Sequence, residues 1–88
     1  MEKSPFTREH RILAGMLREY RERASLTQQE LAGKLAMSQS FLSKWERGER
    51  RIDVIQLRTW CRHVGTTLPR FIKTLEGRLT ARRVVRRK

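Results

Sequence analysis

The sequence predicts an all-α domain of five short helices, and three observations carry that prediction. Apolar residues recur at three- and four-residue spacing along most of the chain, the pattern of amphipathic helices packed on one core. Thr27, Ser38 and Asp53 stand as caps in front of such runs. Glu30 and Gln56, three residues beyond Thr27 and Asp53, complete two capping boxes. Gly48 and Gly65 then sit where helices end, because glycine takes the left-handed conformation without cost.

Each element follows in order. Residues 1–6 read as a lead-in, with Ser4-Pro5 or Thr7 opening the first helix. Over residues 7–24, Ile12, Leu13, Met16, Leu17 and Tyr20 share a face, and Leu13 and Leu17 are the expected core residues. The second helix starts at Thr27, with Leu26 and Leu31 placed as a hydrophobic staple and Leu31, Ala32, Leu35 and Ala36 turned inward. The third starts at Ser38, with Met37 and Leu42 as its staple and Leu42 and Trp45 as its inner face. Its outer face carries Gln39, Ser40, Ser43, Lys44 and Arg47, with no carboxylate among them. Amides and long cations hydrogen-bond base edges in the major groove of DNA, whereas the plain alternative is a solvated helix face. Asp53 opens a fourth helix over about residues 54–64, with Ile52 and Leu57 as staple and Leu57, Trp60, Cys61 and Val64 inside. A last helix runs from about 68 to 75 or a turn beyond, with Pro69 in its first turn and Phe71, Ile72 and Leu75 on one side. Residues 77–88 form an acid-free basic tail. In order of preference it reads as a disordered arm following phosphates, an extension of the last helix, or a membrane-surface segment.

Residues 26–48 organise the rest: two short helices back to back across a tight turn, with the small Ala32 allowing a close crossing. Three motifs mark the pair: Leu26-Thr27-Gln28-Gln29-Glu30-Leu31-Ala32, Ser38-Gln39-Ser40 and Trp45-Glu46-Arg47-Gly48. On them, residues 16–75 resemble the Cro/C1-type, or Xre, family of helix-turn-helix regulators. The resemblance implies a compact five-helix, lambda-repressor-like domain over residues 7–76. It makes residues 39–47 the recognition helix, placed in the major groove while its partner lies across the backbone. It implies that Gln39, Ser40 and Lys44 meet base edges and that Gln28, Ser43, Arg50 and Arg51 hold the DNA backbone. Gln28 sits at a helix N-terminus, which favours an anion in any case. It also pairs Arg21 of the first helix with Glu46, where a merely solvated arginine is the alternative, and makes the last helix a dimer surface. One residue departs from the family pattern: Ala36 stands in the turn where the family usually has glycine.

Bulk properties agree. The chain has 88 residues, enough for one small core, and a formal net charge of +12, which favours a polyanionic partner. A single cysteine, Cys61, forms no intrachain disulfide and reads as a buried hydrophobe. No cofactor and no metal site are expected, since His63 and Cys61 alone make no ligand set. No apolar run has the length of a membrane span, so the expected place is the cytoplasm, on the nucleoid. No nucleophile–base pair, apolar-set carboxylate pair or phosphate loop suggests an enzyme. The expected function is sequence-specific binding of double-stranded DNA by a small regulator, with repression as default and a homodimer on a pseudo-palindromic operator. The competing reading is an antitoxin that binds a toxin partner and its own promoter. An RNA-binding module is weaker, because the outer face lacks exposed stacking aromatics.

Overall fold

The computed structural model describes residues 7–86, with side chains through Ala81. Residues 1–6, read above as a lead-in, and residues 87–88 lie outside the described residues. Among the described residues the chain is all helix and loop: α1 (Arg8–Arg23), α2 (Gln28–Lys34), α3 (Gln39–Glu46), α4 (Val54–His63) and α5 (Leu68–Arg86).

Local chemistry sets the helix starts. Thr7, Thr27, Ser38 and Asp53 each accept a hydrogen bond from the backbone N–H three residues on. The capping boxes of Thr27 with Glu30 and Asp53 with Gln56 are both closed, the return bonds measuring 2.8 and 2.9 Å. The helix ends share one device. α1 to α4 are each followed by a residue in left-handed conformation: Ser25 (φ 61°), Ala36 (φ 56°), Gly48 (φ 75°) and Gly65 (φ 86°). In each case the next residue donates its N–H back to the carbonyl five residues earlier, as in Leu26 to Arg21 and Met37 to Ala32, at 3.2 and 3.0 Å. Two of these four positions therefore carry a Cβ. Ser25 was not legible as such a position, because serine normally reads as a cap or a turn residue.

α2 packs on α3, α1 on both α3 and α5, and α4 on α5. The core comprises Met16 and Leu17 of α1, Leu31 and Ala32 of α2, Leu42 and Trp45 of α3, Leu57, Trp60 and Cys61 of α4, and Phe71 of α5. Leu17 is fully buried, as expected, but Leu13 is half-buried at the margin and Met16 takes the inner place. Tyr20, Trp60 and Phe71 form a triangle of rings, with centroids 5.1 to 6.0 Å apart and tilted or edge-on, that joins α1, α4 and α5.

α5 corrects the preferred reading of the tail. The helix continues through Gly77 to Arg86, so the described part of the tail extends the helix rather than forming a loose arm. A lone glycine costs a helix only about 1 kcal/mol relative to alanine. Arg78 meets Glu19 of α1 through two hydrogen bonds, at 2.8 and 3.1 Å, which fixes this stretch to the body of the fold. The side chains of residues 82–88 lie outside the described set, so the membrane-surface reading falls largely outside it as well. No helix of the described chain is long and apolar enough to cross a membrane.

Candidate nucleic-acid interface

The caps of α2 and α3 fix how the pair meets, and that meeting decides which side chains point outward. On α3, Leu42 and Trp45 go into the core while Gln39, Ser40, Lys44 and Arg47 are exposed and Ser43 is half-buried. The loop after α3 adds Arg50 and Arg51, both exposed. Three base-reading candidates and two backbone candidates are thus exposed on α3 and the loop that follows it.

Beneath that surface lies an ion pair. Arg21 donates from Nε to Glu46 Oε2 at 2.7 Å and from Nη2 to Oε1 at 3.0 Å, and its Nη1 donates to the Leu26 carbonyl at 2.8 Å. Glu46 in turn accepts from Gln28 Nε2 at 3.0 Å. The bidentate contact holds the guanidinium above its ordinary pKa and locks the end of α3 to α1.

The carboxylate also sets the direction of a chain of amides. Glu46 accepts at both oxygens, so Gln28 turns its NH2 toward it and presents its oxygen on the other side. Gln39 answers with its own NH2 at 3.4 Å, leaving its amide oxygen and one N–H hydrogen outward. Gln28 is half-buried and tied to α3, with one N–H hydrogen of its amide not used in these bonds.

Three contacts went unseen in the sequence. Arg47 binds Glu49 through two hydrogen bonds, at 2.8 and 2.9 Å, and also donates to Ser43 Oγ. That pairing raises the pKa of Arg47 and lowers that of Glu49, and it places an acid just beyond the acid-free face. Arg50 stacks on Phe41, its Cζ 4.7 Å from the ring centroid. Arg18 joins Gln28, Ser43 and Arg47 around a cleft of about 390 Å³ between α1 and the helix pair. Its spacing of three residues from Arg21 was the available signal for a shared face. Among the described residues there is no His, Cys, Asp or Glu cluster able to hold a metal. Cys61 is buried, with its thiol pushed up to about 11 by desolvation.

A protein-family model described as helix-turn-helix matches residues 17–71, from α1 to the start of α5. Among solved structures, an Xre-family-like protein from Pseudomonas syringae pv. tomato superposes with a TM-score of 0.73 at 42% identity, covering 78% of this chain and 84% of that one. The clp gene regulator ClgR from Corynebacterium glutamicum superposes with a TM-score of 0.76 at 22% identity, covering 91% of this chain and 85% of that one, which shows the fold alone. A second ClgR structure superposes with a TM-score of 0.72 at 25% identity, covering 81% of this chain and 91% of that one. Comparison with curated protein sequences finds no match. The span of the family match, the identity to the Pseudomonas protein and the capped α2–α3 pair, with α3 tied to α1 by Arg21 and Glu46, lead to one conclusion: this chain belongs to the Xre, or Cro/C1-type, family of helix-turn-helix DNA-binding transcriptional regulators.

Proposed function

We propose that the chain represses transcription by seating α3 in the major groove of a pseudo-palindromic operator, one copy on each half-site. The observation that carries this reading is the outward face of α3, with Gln39, Ser40 and Lys44 exposed beside Arg50 and Arg51. Gln39, Ser40 and Lys44 read base edges. Gln28, Ser43, Arg50 and Arg51 hold phosphates and fix the register. Ser43 accepts from Arg47, so its own O–H remains to donate to a phosphate. The amide order set by Glu46 leaves Gln39 with one outward acceptor and one outward donor, the pair that matches N6 and N7 of adenine. One domain covers a small footprint, so a homodimer supplies the second half-site about one helical turn away. Ile72 on α5, 41% exposed, gives that helix an apolar residue for such a contact. A toxin partner is the alternative, and co-purification of a stoichiometric second chain would replace the repressor reading with it.

The test separates reading from holding. Gln39→Ala should cost about 1–3 kcal/mol on the preferred site and relax one base position, with no change in salt slope. Arg51→Ala should weaken preferred and random duplexes by a similar factor and lower the salt slope by about one unit. Binding isotherms at several salt concentrations, on the preferred site and its single-base variants, measure both. Intact base preferences in Gln39→Ala would remove α3 as a reader through that residue.

A further inference from the structure

Glu49 stands where α3 ends, and the way the helix ends decides what Glu49 meets. Gly48 turns left-handed, and the Glu49 backbone N–H then donates to the Lys44 carbonyl at 2.9 Å. That closure brings residue 49 back beside the last turn of the helix. The Glu49 carboxylate accepts two hydrogen bonds from Arg47, from Nε at 2.8 Å and from Nη2 at 2.9 Å. The remaining guanidinium nitrogen, Nη1, donates to Ser43 Oγ. Every nitrogen of the Arg47 head is thus engaged inside the protein.

The pair lies in solvent, the Arg47 and Glu49 side chains being 53% and 41% exposed. An exposed ion pair contributes little to the stability of a fold. Its place is more telling. Residues 39–51 contain one other carboxylate, Glu46, which is buried against Arg21. Glu49 is therefore the one exposed acid on the segment that carries Lys44, Arg47, Arg50 and Arg51. Among the described residues, Arg47 is the one of these four cations that is paired with a carboxylate. The Arg47 hydrogen bonds lower the pKa of Glu49, and the charges of Arg47 and Lys44 add to the effect. The acid thus stays ionised, and its field reaches a base-reading candidate as well.

We propose that Glu49 attenuates the affinity of this face for DNA by withholding Arg47 from the phosphates. Sequence-independent affinity grows with the number of phosphates that Lys and Arg neutralise, because each releases counterions. A guanidinium already neutralised by a carboxylate adds nothing to that number. Lys44, Arg50 and Arg51 then remain as the free cations of the segment. The consequence is weaker holding of random sequence, which competes in great excess and is bound through phosphates alone. This role rests on the seating of α3 proposed above and adds a residue to it.

The test is a set of isotherms for the full chain at several salt concentrations, on the preferred duplex and on a random one. Glu49→Gln keeps the backbone N–H that closes α3, so its urea midpoint should match that of the native chain. It should bind both duplexes more tightly and steepen the salt slope by about 0.9, the value of one more neutralised phosphate. The gain should shrink about threefold between about 50 and 200 mM salt. Arg47→Gln should erase that gain, and should weaken binding more in the Glu49→Gln background than in the native one. Glu76→Gln adds the same charge on α5 and should leave the isotherms in place. A Glu49→Gln chain that binds no tighter, an equal effect of Arg47→Gln in both backgrounds, or an equal gain from Glu76→Gln would overturn the inference. Gln39→Ala and Arg51→Ala on the same duplexes report the seating of α3 separately. If they act as expected while Glu49→Gln does nothing, only the role of Glu49 falls. If they leave binding intact, the seating falls and this inference with it.

Discussion

Arg21 is a buried charge, 8% exposed, and all three of its guanidinium nitrogens donate hydrogen bonds. Removing either partner would strand a charge, so Arg21→Ala or Glu46→Ala should each cost about 3–5 kcal/mol in urea unfolding. Replacing both by apolar residues, Arg21→Met with Glu46→Leu, should recover much of that loss, since desolvation offsets much of the attraction in the native pair. A double-mutant cycle with no coupling energy would refute the lock. His10 offers a pH test. Its Nε2 is buried without a partner among the described residues, and burial, then the charge of Arg51, lowers its pKa from the ordinary 6.5. The unfolded chain therefore takes up this proton at a higher pH than the fold does. The contribution of neutral His10 is complete above 6.5 and is lost as pH falls through the lower folded value. Urea midpoints should drop as pH falls below 6.5, and His10→Gln should flatten that drop.

At the scale of the element, the four helix ends make a natural series. Gly48 and Gly65 take positive φ freely, whereas Ser25 and Ala36 take it with a Cβ. A left-handed Cβ costs about 1–2 kcal/mol, and glycine returns about 0.4–1 of that through the entropy of the unfolded chain. Ala36→Gly should thus stabilise the domain by about 0.5–1 kcal/mol. The reverse change, Gly48→Ala, should destabilise it by about 1 kcal/mol, because only φ is at stake. A Cβ there would meet Ala14 and His10 at 3.7 Å, ordinary contact distance. Thermal unfolding of the two variants measures both signs, and a destabilised Ala36→Gly would mean the turn draws on the methyl group for packing.

At the scale of the whole molecule, a net charge of +12 acts on any polyanion, and the end of the chain concentrates it. Arg78 is already bound to Glu19, whose pKa is lowered first by that hydrogen bond and then by the charges of Arg78 and Arg23. Truncation after Ala81 removes Arg82, Arg83, Arg86, Arg87 and Lys88 but leaves the Arg78 tie in place. The shortened chain should keep its unfolding midpoint, bind every duplex more weakly, retain its base preferences and show a shallower salt slope. Unchanged affinity at low salt would assign these cations to another partner.

The division between sequence and structure follows the range of the interactions. Caps, staples and stops are made by residues three to five apart, so Thr27 with Glu30, Ser38, Asp53 with Gln56, and Gly65 were legible without the fold. The acid-free face of α3 was legible for the same reason, since side chains three and four apart share a helix face. Leu13 is half-buried while Met16 is buried, an outcome decided by how α1 packs on the other helices. Glycine at 77 looked like a boundary, but Glu19, 59 residues from Arg78, carried the helix past it. Glu46 lies 18 residues from Gln28 and 25 from Arg21, and no local rule gives the direction in which it points the amides of Gln28 and Gln39. The sequence by itself determined the helices and the chemistry on their faces, because those depend on neighbours along the chain. Tertiary structure alone decided the amide order beneath α3 and the anchoring of α5, because each is made by groups that meet only when separate helices pack.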